Sequence, residues 1–182
     1  MTYDEHSIIQ KKMAEQLLLF ATKRASSYSS ILDVGCGTGI LTQACHSTFP
    51  DAQIKAIDIA ENMLHLAREK LPSPQISFYL QDVEAAEWKD RSTHDLIISN
   101  AVFQWLKYPL ETIQRLEAQL RRSGWLLAST FGPKTFHELI SLFREVEEEM
   151  GLPVYTHHLP MKSKSDWSKI LQNTKLHNIH IS

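Results

Sequence analysis

Three glycines at alternate positions, preceded by a carboxylate, form the segment of this chain best suited to hold a ligand. Gly35, Gly37 and Gly39 follow Asp33 at the end of an apolar, strand-like run that starts at Ser30. Because glycine has no Cβ, such a turn can fold tightly and bring backbone amides close to a bound molecule. The pattern predicts a turn that binds part of a nucleotide-type cofactor. A purely structural turn between strand and helix is the alternative.

The same turn argues against a dinucleotide pyrophosphate as the ligand. The G-x-G-x-x-G fingerprint of that ligand requires a third glycine at position 40, where the chain has Ile40. The pattern present is G-x-G-x-G, which indicates that a different part of a cofactor lies against the turn.

A second carboxylate closes the next apolar segment, residues 53–58. Asp58 has the spacing from the glycine turn that is typical of a ribose contact. An ionised carboxylate accepts hydrogen bonds from both ribose hydroxyls. The alternative is an N-cap for the helix predicted from Asn62, and both roles are compatible at one strand-to-helix junction.

Two further predicted strands also end in polar residues. Asp82 closes the alternating segment 76–83, and Ser99 and Asn100 close the buried segment 94–100. Because the carboxyl ends of parallel strands share one edge of a sheet, these side chains are expected to meet the first two carboxylates there. Open α/β sheets bind ligands at this edge.

Length and composition predict one packed domain over residues 1–182. The hydrophobic fraction is 43%, which suffices for a single core. A net charge of −2 gives no electrostatic footprint for nucleic acid. The first residues are acidic where a signal peptide is basic, and no apolar run approaches membrane-spanning length. We therefore expect a cytoplasmic protein with no nucleic-acid or membrane partner.

Cysteine and histidine spacing favours neither a disulfide nor a metal site. Cys36 and Cys45 lack C-x-x-C spacing and a secretory context, so reduced thiols are expected. The closest of the nine histidines are His157 with His158, and His177 with His180. Neither pair shows a zinc-ligand pattern, so no metal is expected.

Strand and helix patterns alternate along the chain. Ile9, Met13 and Leu17 have helical spacing and predict an amphipathic helix over 7–23. Further helices are predicted over 40–49, 62–71, 110–120 (with Gly124 as its stop), 136–146 and 164–171, and strands over 30–34, 53–58, 76–83, 94–100, 125–131 and 176–181. Repeated strand-helix-strand units predict an α/β fold with a parallel sheet.

Three motifs together resemble those of the class I S-adenosylmethionine-dependent methyltransferases. They are Leu-Asp-Val-Gly-Cys-Gly-Thr-Gly at 32–39, Ala-Ile-Asp-Ile-Ala-Glu-Asn-Met-Leu at 56–64 and Gln-Asp-Val at 81–83. Within that superfamily, Tyr3-Asp4 with Ile9-Gln10, residues 99–106 and residues 131–139 are similar to the malonyl-acyl carrier protein O-methyltransferases of biotin synthesis, over residues 3–159. The resemblance implies a three-layer Rossmann-like fold with a mostly parallel sheet.

The resemblance also implies which residues hold S-adenosylmethionine. Asp33 would face the ammonium of the cofactor, the glycine turn would run along its methionine part, and Asp58 would hold the ribose hydroxyls. Met63 would cover the adenine face with a flexible thioether, and Asp82 and Val83 would pair with the adenine edge. The full implied set is Asp33, Gly35, Cys36, Gly37, Gly39, Asp58, Ile59, Met63, Asp82, Val83, Ser99 and Asn100.

The implied reaction is methyl transfer to the free carboxylate of a malonyl thioester, carried by acyl carrier protein or coenzyme A. Gln104 and Trp105 are the implied catalytic pair, lining the passage between cofactor and substrate, although simple burial is the alternative for Trp105. Three basic residues after the fifth predicted strand are candidates to neutralise the substrate carboxylate: Lys134, His137 and Arg144.

Other functions and assemblies stay open at this level. The aromatic segment after Asn100 also resembles methyltransferases of other small carboxylic acids, such as trans-aconitate. Compared with the family, the chain is expected to lack the last strand hairpin, which raises a non-catalytic cofactor-binding or partner-binding protein as a third reading. The implied layout is a helix at 6–24, a cofactor core at 30–131 and a substrate and lid region at 132–182. An open sheet edge would favour a homodimer.

Overall fold

The computed structural model describes residues 6–85, 92–153, 155–156 and 160–182. The Tyr3-Asp4 motif and the His157-His158 pair lie outside these residues. The strands are β1 (Ser30–Val34), β2 (Gln53–Asp58), β3 (Ile76–Leu80), β4 (His94–Asn100) and β5 (Leu120–Ser129). The helices are α1 (Ile8–Arg24), α2 (Ile40–Thr48), α3 (Glu61–Lys70), α4 (Pro109–Ala118), α5 (His137–Glu149) and α6 (Lys164–Leu171), with a 3-10 turn at Phe103–Trp105.

The five strands form one sheet in the order β3-β2-β1-β4-β5, and every neighbouring pair is parallel. The register pairs Val34 with Ile57, and Asn100 with Ser129, so the carboxyl ends of the strands lie along one edge. The α/β fold with a parallel sheet is therefore confirmed. The sheet ends at β5 among the described residues, as expected for a chain without the last hairpin.

The sheet is covered by helices on both faces, which gives the predicted three layers. Ile31 of β1 packs into a core cluster with α1 and α2, and its neighbour Leu32 packs into a second cluster with Ile113 and Leu116 of α4 and Trp167 of α6. Successive residues of a strand point to opposite faces, so a strand covered on both faces is apolar throughout. Ile31, Leu32 and Val34 are accordingly all buried.

Helix α1 buries only part of the predicted stripe. Ile9 is 55% exposed, and the residues that pack on the sheet and α2 are Ala14, Leu17 and Ala21. Two alanines in this stripe allow a close approach of the helix to its neighbours. The pattern of large apolar residues therefore identified the helix and the burial of Leu17, but it missed Ala14 and Ala21 and wrongly included Ile9.

Four predicted boundaries are corrected by the structure. Helix α4 stops at Ala118 and β5 already begins at Leu120, rather than at 125 after a Gly124 stop, with a register shift opposite His94 and Leu96. Leu120 packs into the same core cluster as α4, so its burial could not distinguish helix from strand. Strands β3 and β5 end at Leu80 and Ser129, which is earlier than predicted.

The predicted last strand at 176–181 is wrong, because the structure has no strand in these residues. Leu176 and Ile181 instead pack around the cluster that contains Trp167. These two side chains are packed against the helical layer and do not extend the sheet.

Helix α5 presents an apolar side to solvent. Leu142 is 56% exposed, Val146 is 48% exposed and Met150, just after the helix, is 66% exposed. No helix in the described part of the chain is long and apolar enough to cross a membrane.

Candidate functional site

A cleft with a volume of about 770 Å³ lies at the carboxyl ends of the strands. Its wall includes the glycine turn after β1, the end of β2, the loop after β3 and the segment after β4. Gln10 of α1 and Phe131 after β5 complete it. The volume falls in the range of ordinary small-molecule sites, and the position is the one that parallel α/β sheets use for ligands.

All three glycines of the turn have left-handed backbone conformations, with φ of +72° at Gly35, +54° at Gly37 and +86° at Gly39. A Cβ at Gly35 would lie 2.3 Å from Cγ2 of Val102, so the Val102 side chain already fills the space that a larger residue would need. A Cβ at Gly37 would meet nothing within 4 Å. Gly37 therefore leaves open space beside the backbone where the turn lines the cleft.

The amides of this turn are bonded within the protein, contrary to the expectation that they would point at a ligand. The amides of Gly35 and Cys36 donate to the carbonyl of Ile57 at 2.8 and 3.0 Å. The Gly37 amide donates to Oδ2 of Asp58 at 2.8 Å. A phosphate group would need these donors free. The turn offers a close backbone surface rather than an anion nest.

Asp58 links two turns of the cleft. Its Oδ2 accepts from Gly37, and its Oδ1 accepts from the amide of Ala60 at 2.8 Å. Ala60 is the N-cap residue of α3, with no side-chain cap. The alternative in which Asp58 is itself the N-cap is therefore wrong. A carboxylate has about four acceptor positions, so two remain for a ligand. Asp58 lines the cleft.

Asp33 is a buried acid behind the turn and does not line the cleft. Its Oδ2 accepts from the hydroxyl of Thr42 at 2.6 Å, and its Oδ1 has no hydrogen-bond partner. Burial raises the pKa of Asp33 to about 7; the Thr42 hydrogen bond opposes the rise, and the negative charge of Asp58 adds to it. An unpartnered buried carboxylate oxygen is suited to a cationic or donor group.

Cys36 and Cys45 are free and buried. Cys36 lines the cleft. Burial, and then the charges of Asp33 and Asp58, raise the pKa of the Cys36 thiol far above its ordinary value. Because the thiolate is the reactive form, Cys36 is unsuited to nucleophilic chemistry.

Glu84 ties the loop after β3 to the segment after β4, a contact that the sequence did not reveal. Its carboxylate accepts from the amides of Lys107 at 3.1 Å and Tyr108 at 2.7 Å. Arg115 donates to the carbonyls of Glu84 at 3.0 Å and Ala85 at 2.8 Å. The two sides of the cleft are thereby held at a fixed separation here.

Two side-chain amides lie at the end of β4. Asn100 donates from Nδ2 to the carbonyl of Gln10 at 2.9 Å, and Gln104 donates from Nε2 to the carbonyl of Ala101 at 2.7 Å. Ala101 has a φ of +57°, which turns the chain sharply out of the strand. Both amides line the cleft.

The structure brings nine of the twelve predicted cofactor residues to the cleft, together with Gln104 and Trp105. These nine are Gly35, Cys36, Gly37, Asp58, Ile59, Met63, Asp82, Val83 and Asn100. Asp33, Gly39 and Ser99 lie behind it. The Ser99 hydroxyl donates to the carbonyl of Val34 at 2.8 Å, and a Cβ at Gly39 would lie 2.8 Å from Leu71.

The three basic candidates for substrate binding lie elsewhere. Lys134, His137 and Arg144 are exposed and are not part of the cleft wall. The charged residues that do line the cleft are Asp58, Asp82, Glu84 and Lys107. With three carboxylates against one lysine, the cleft favours a ligand that carries positive charge. No cluster of metal-binding side chains occurs in the described ranges.

A family model described as a methyltransferase domain matches residues 32–128, more than half of the chain. The chain belongs to this methyltransferase domain family. Among its relatives is a malonyl-[acyl-carrier protein] O-methyltransferase of Halalkalibacterium halodurans, 40% identical over 93% of this chain and 65% of the relative. A protein of the same name from a Paenibacillus species is 37% identical over 98% of this chain and 68% of the relative.

The methyltransferase fold is also seen in solved structures. The plantazolicin methyltransferase in complex with SAH aligns with a TM-score of 0.70 at 20% identity, covering 93% of this chain and 65% of that one. This similarity supports the fold. The present chain spans 65% of the Halalkalibacterium relative and 53% of another relative of the same name, from Anoxybacillus flavithermus.

Proposed function

We propose that this methyltransferase-family chain binds S-adenosylmethionine in the cleft and transfers its methyl group to the free carboxylate of a malonyl thioester. The cofactor assignment rests on one observation: the cleft is lined by three carboxylates, and the amides of its glycine turn are already bonded. Such a site disfavours phosphates and favours a ligand with positive charge. The acceptor assignment rests on the names of the relatives at 37–40% identity.

The residues fit the cofactor at each of its parts. Gly37 leaves space for the methionine chain beside the backbone, and Asp58 keeps two acceptor positions for the ribose hydroxyls. Met63 and Ile59 supply apolar cover for an adenine, and Asp82 an acceptor for its amino group. Asp33 lies behind the turn, and its Oδ1, which has no partner among the described residues, would accept from the ammonium.

The proposed chemistry requires alignment more than proton transfer. When bound, S-adenosylmethionine supplies a methyl group whose bond to sulfur breaks as a bond to the acceptor oxygen forms, with the bonding electrons going to sulfur. The acceptor carboxylate is ionised near neutral pH, so the chain needs no general base. Gln104 and Trp105 would orient the acceptor in the cleft and exclude water.

The first test measures binding of S-adenosylmethionine and S-adenosylhomocysteine by calorimetry, with NAD as the phosphate-bearing control. We expect the first two ligands to bind and NAD not to bind. Binding of neither sulfur ligand would refute the cofactor assignment.

Asp58→Asn is expected to weaken cofactor affinity at least about tenfold, because the neutral amide loses the charge and one acceptor atom. Asp51→Asn, at an exposed acid outside the cleft, is the matched control and should bind as the wild type does. Unchanged affinity of the Asp58 variant would reject its ribose role.

The second test measures methyl ester formation on malonyl-acyl carrier protein, malonyl-coenzyme A, trans-aconitate and free malonate. Preference for the two thioesters supports the proposal, and preference for a free acid reassigns the enzyme to small-acid methylation. Cofactor binding without turnover on any acid would indicate a non-catalytic binding protein.

A further inference from the structure

We infer that Ser129 and Thr130, at the end of β5, are positioning residues that hold the Asn100 and Gln104 side-chain amides in place in the cleft by donating to their oxygens. The evidence for this structural role is the hydrogen bond that each hydroxyl donates to an amide oxygen. Its consequence for catalysis rests on the proposed function. Neither hydroxyl lines the cleft, so each would act on a ligand only through the amide that it contacts.

The orientation of the Asn100 amide is determined by its two neighbours. A backbone carbonyl can only accept, so the group facing the Gln10 carbonyl at 2.9 Å must be the NH₂. Oδ1 must then face the hydroxyl of Ser129, at 2.6 Å, and the hydroxyl must donate. The Gln10 carbonyl thereby selects one of the two orientations that differ by a half-turn of the amide, and Ser129 stabilises that orientation by donating to Oδ1.

The Gln104 amide is oriented by its neighbours in the same way. Its NH₂ faces the carbonyl of Ala101 at 2.7 Å, and its Oε1 accepts from the hydroxyl of Thr130 at 3.0 Å. The Thr130 hydroxyl also lies 3.5 Å from the carbonyl of Phe131. It has one proton, and the shorter and better placed acceptor is Gln104.

The strand register explains why two consecutive residues, Ser129 and Thr130, each donate to one of the two amides. Ser129 pairs with Asn100 across β4 and β5, and its carbonyl accepts from the Ala101 amide at 2.9 Å. The sharp turn at Ala101 then brings Gln104 back over the end of β5, beside Thr130. Both hydroxyls are half-buried, so competition from water is reduced.

Loss of one hydroxyl has a specific consequence. Thr130→Val keeps the shape of the side chain but leaves Oε1 of Gln104 without its donor. The Ala101 carbonyl still holds the NH₂, but the oxygen end of the amide is no longer bonded, so its position is less restrained. The effect would fall on the alignment of the acceptor, and cofactor binding would change little.

The first experiment records side-chain amide signals in 1H–15N spectra, assigned by their loss in Asn100→Ala and Gln104→Ala. Ser129→Ala should shift the Asn100 signals and leave those of Gln104 in place. Thr130→Val should do the reverse, and Thr130→Ser should restore the wild-type position. Thr22→Val, which removes a hydroxyl bonded to the carbonyl of Leu19, is the control. Spectra in which neither variant moves its partner amide overturn the inference.

The second experiment is a double-mutant cycle on methyl transfer. Thr130→Val should lower kcat about tenfold with little change in cofactor affinity, and should have no further effect in a Gln104→Ala background. Equal losses in both backgrounds would show a structural role and overturn the inference. If the wild type methylates no acid, the proposed function fails, and the amide spectra still decide the positioning.

Discussion

At the scale of single residues, Asp33 is the most unusual group of the site, because it is an acid enclosed in the protein with one oxygen unpartnered. Burial raises its pKa to about 7. The folded chain therefore retains a proton on this acid at a pH where the unfolded chain, with an ordinary value of 3.8, has lost it. By linkage, folding becomes less favourable as pH rises between these two values and levels off above about 7.

Asp33→Asn removes this titration. We expect the variant to gain stability relative to the wild type as pH rises from about 4 to about 7, by at most about 1.4 kcal/mol per pH unit. Urea unfolding at several pH values measures the difference. A difference that is constant with pH would contradict the assignment.

Thr42→Val provides a second check on the same group. It removes the hydrogen bond that holds the pKa of Asp33 down, so the pH-dependent loss of stability should continue to higher pH than in the wild type.

At the scale of elements, the glycine turn shows which structural features residue types predict and which they do not. The ends of β1, β2 and β4 and the order of helices were predictable, because buried parallel strands are largely apolar and polar residues stand near their ends. The internal bonding of the turn was not, because Gly37 and Asp58 meet only once β1 and β2 pair. Glu84 was missed for the same reason: it binds backbone amides of a distant segment, and no side-chain pattern records such a contact.

Two glycines of the turn, Gly35 and Gly37, are expected to tolerate substitution to different extents. Gly35→Ala combines a left-handed φ with a contact at 2.3 Å to Val102, so it should be the most destabilising. Gly37→Ala meets open space and should cost only the backbone strain, about 1–2 kcal/mol. Gly132→Ala, which meets neither strain nor contact, is the control. Urea midpoints rank the three, and equal costs at Gly35 and Gly37 would argue against the Val102 contact.

The opposite end of the sheet carries an ion pair that joins three strands. Oδ2 of Asp95 accepts from the amides of Ser29 and Ser30, and Oδ1 accepts from Arg121 at 2.7 Å. Burial alone would raise the pKa of Asp95, but these hydrogen bonds outweigh it and lower the pKa below its ordinary value. The resulting stability is present above the ordinary pKa and is lost as pH falls through the lowered one.

Arg121→Ala should therefore shift acid unfolding to higher pH. The adjacent exposed Arg122→Ala is the matched control and should leave the transition in place. Far-ultraviolet circular dichroism during acid titration measures both. Identical shifts in the two variants would mean that general loss of positive charge, and not the Asp95 contact, sets the transition.

At the scale of the whole molecule, two features can promote association. Strand β5 is the sheet edge among the described residues, and α5 exposes Leu139, Leu142, Phe143 and Val146. Unpaired strand edges and contiguous apolar patches both promote association. The exposure of α5 could not be inferred from the sequence, because its apolar periodicity is that of a buried helix.

We expect the purified chain to self-associate through the exposed apolar side of α5, and Leu142→Glu to weaken the association by placing a charge there. Ser141→Glu adds the same charge at a neighbouring exposed polar position and is the control. Sedimentation velocity over a range of concentrations measures the effect. A strictly monomeric wild type would refute the expectation.

Trp105, at the wall of the cleft, is 63% exposed, whereas Trp167 is 8% exposed within the core. An indole in water emits at longer wavelength than one enclosed by protein, so the cleft carries its own optical reporter. Any molecule that settles against Trp105 should displace water from the ring and move the emission to the blue. Trp105→Phe should abolish that signal, which allows occupancy to be followed by titration in a cuvette, without label or turnover.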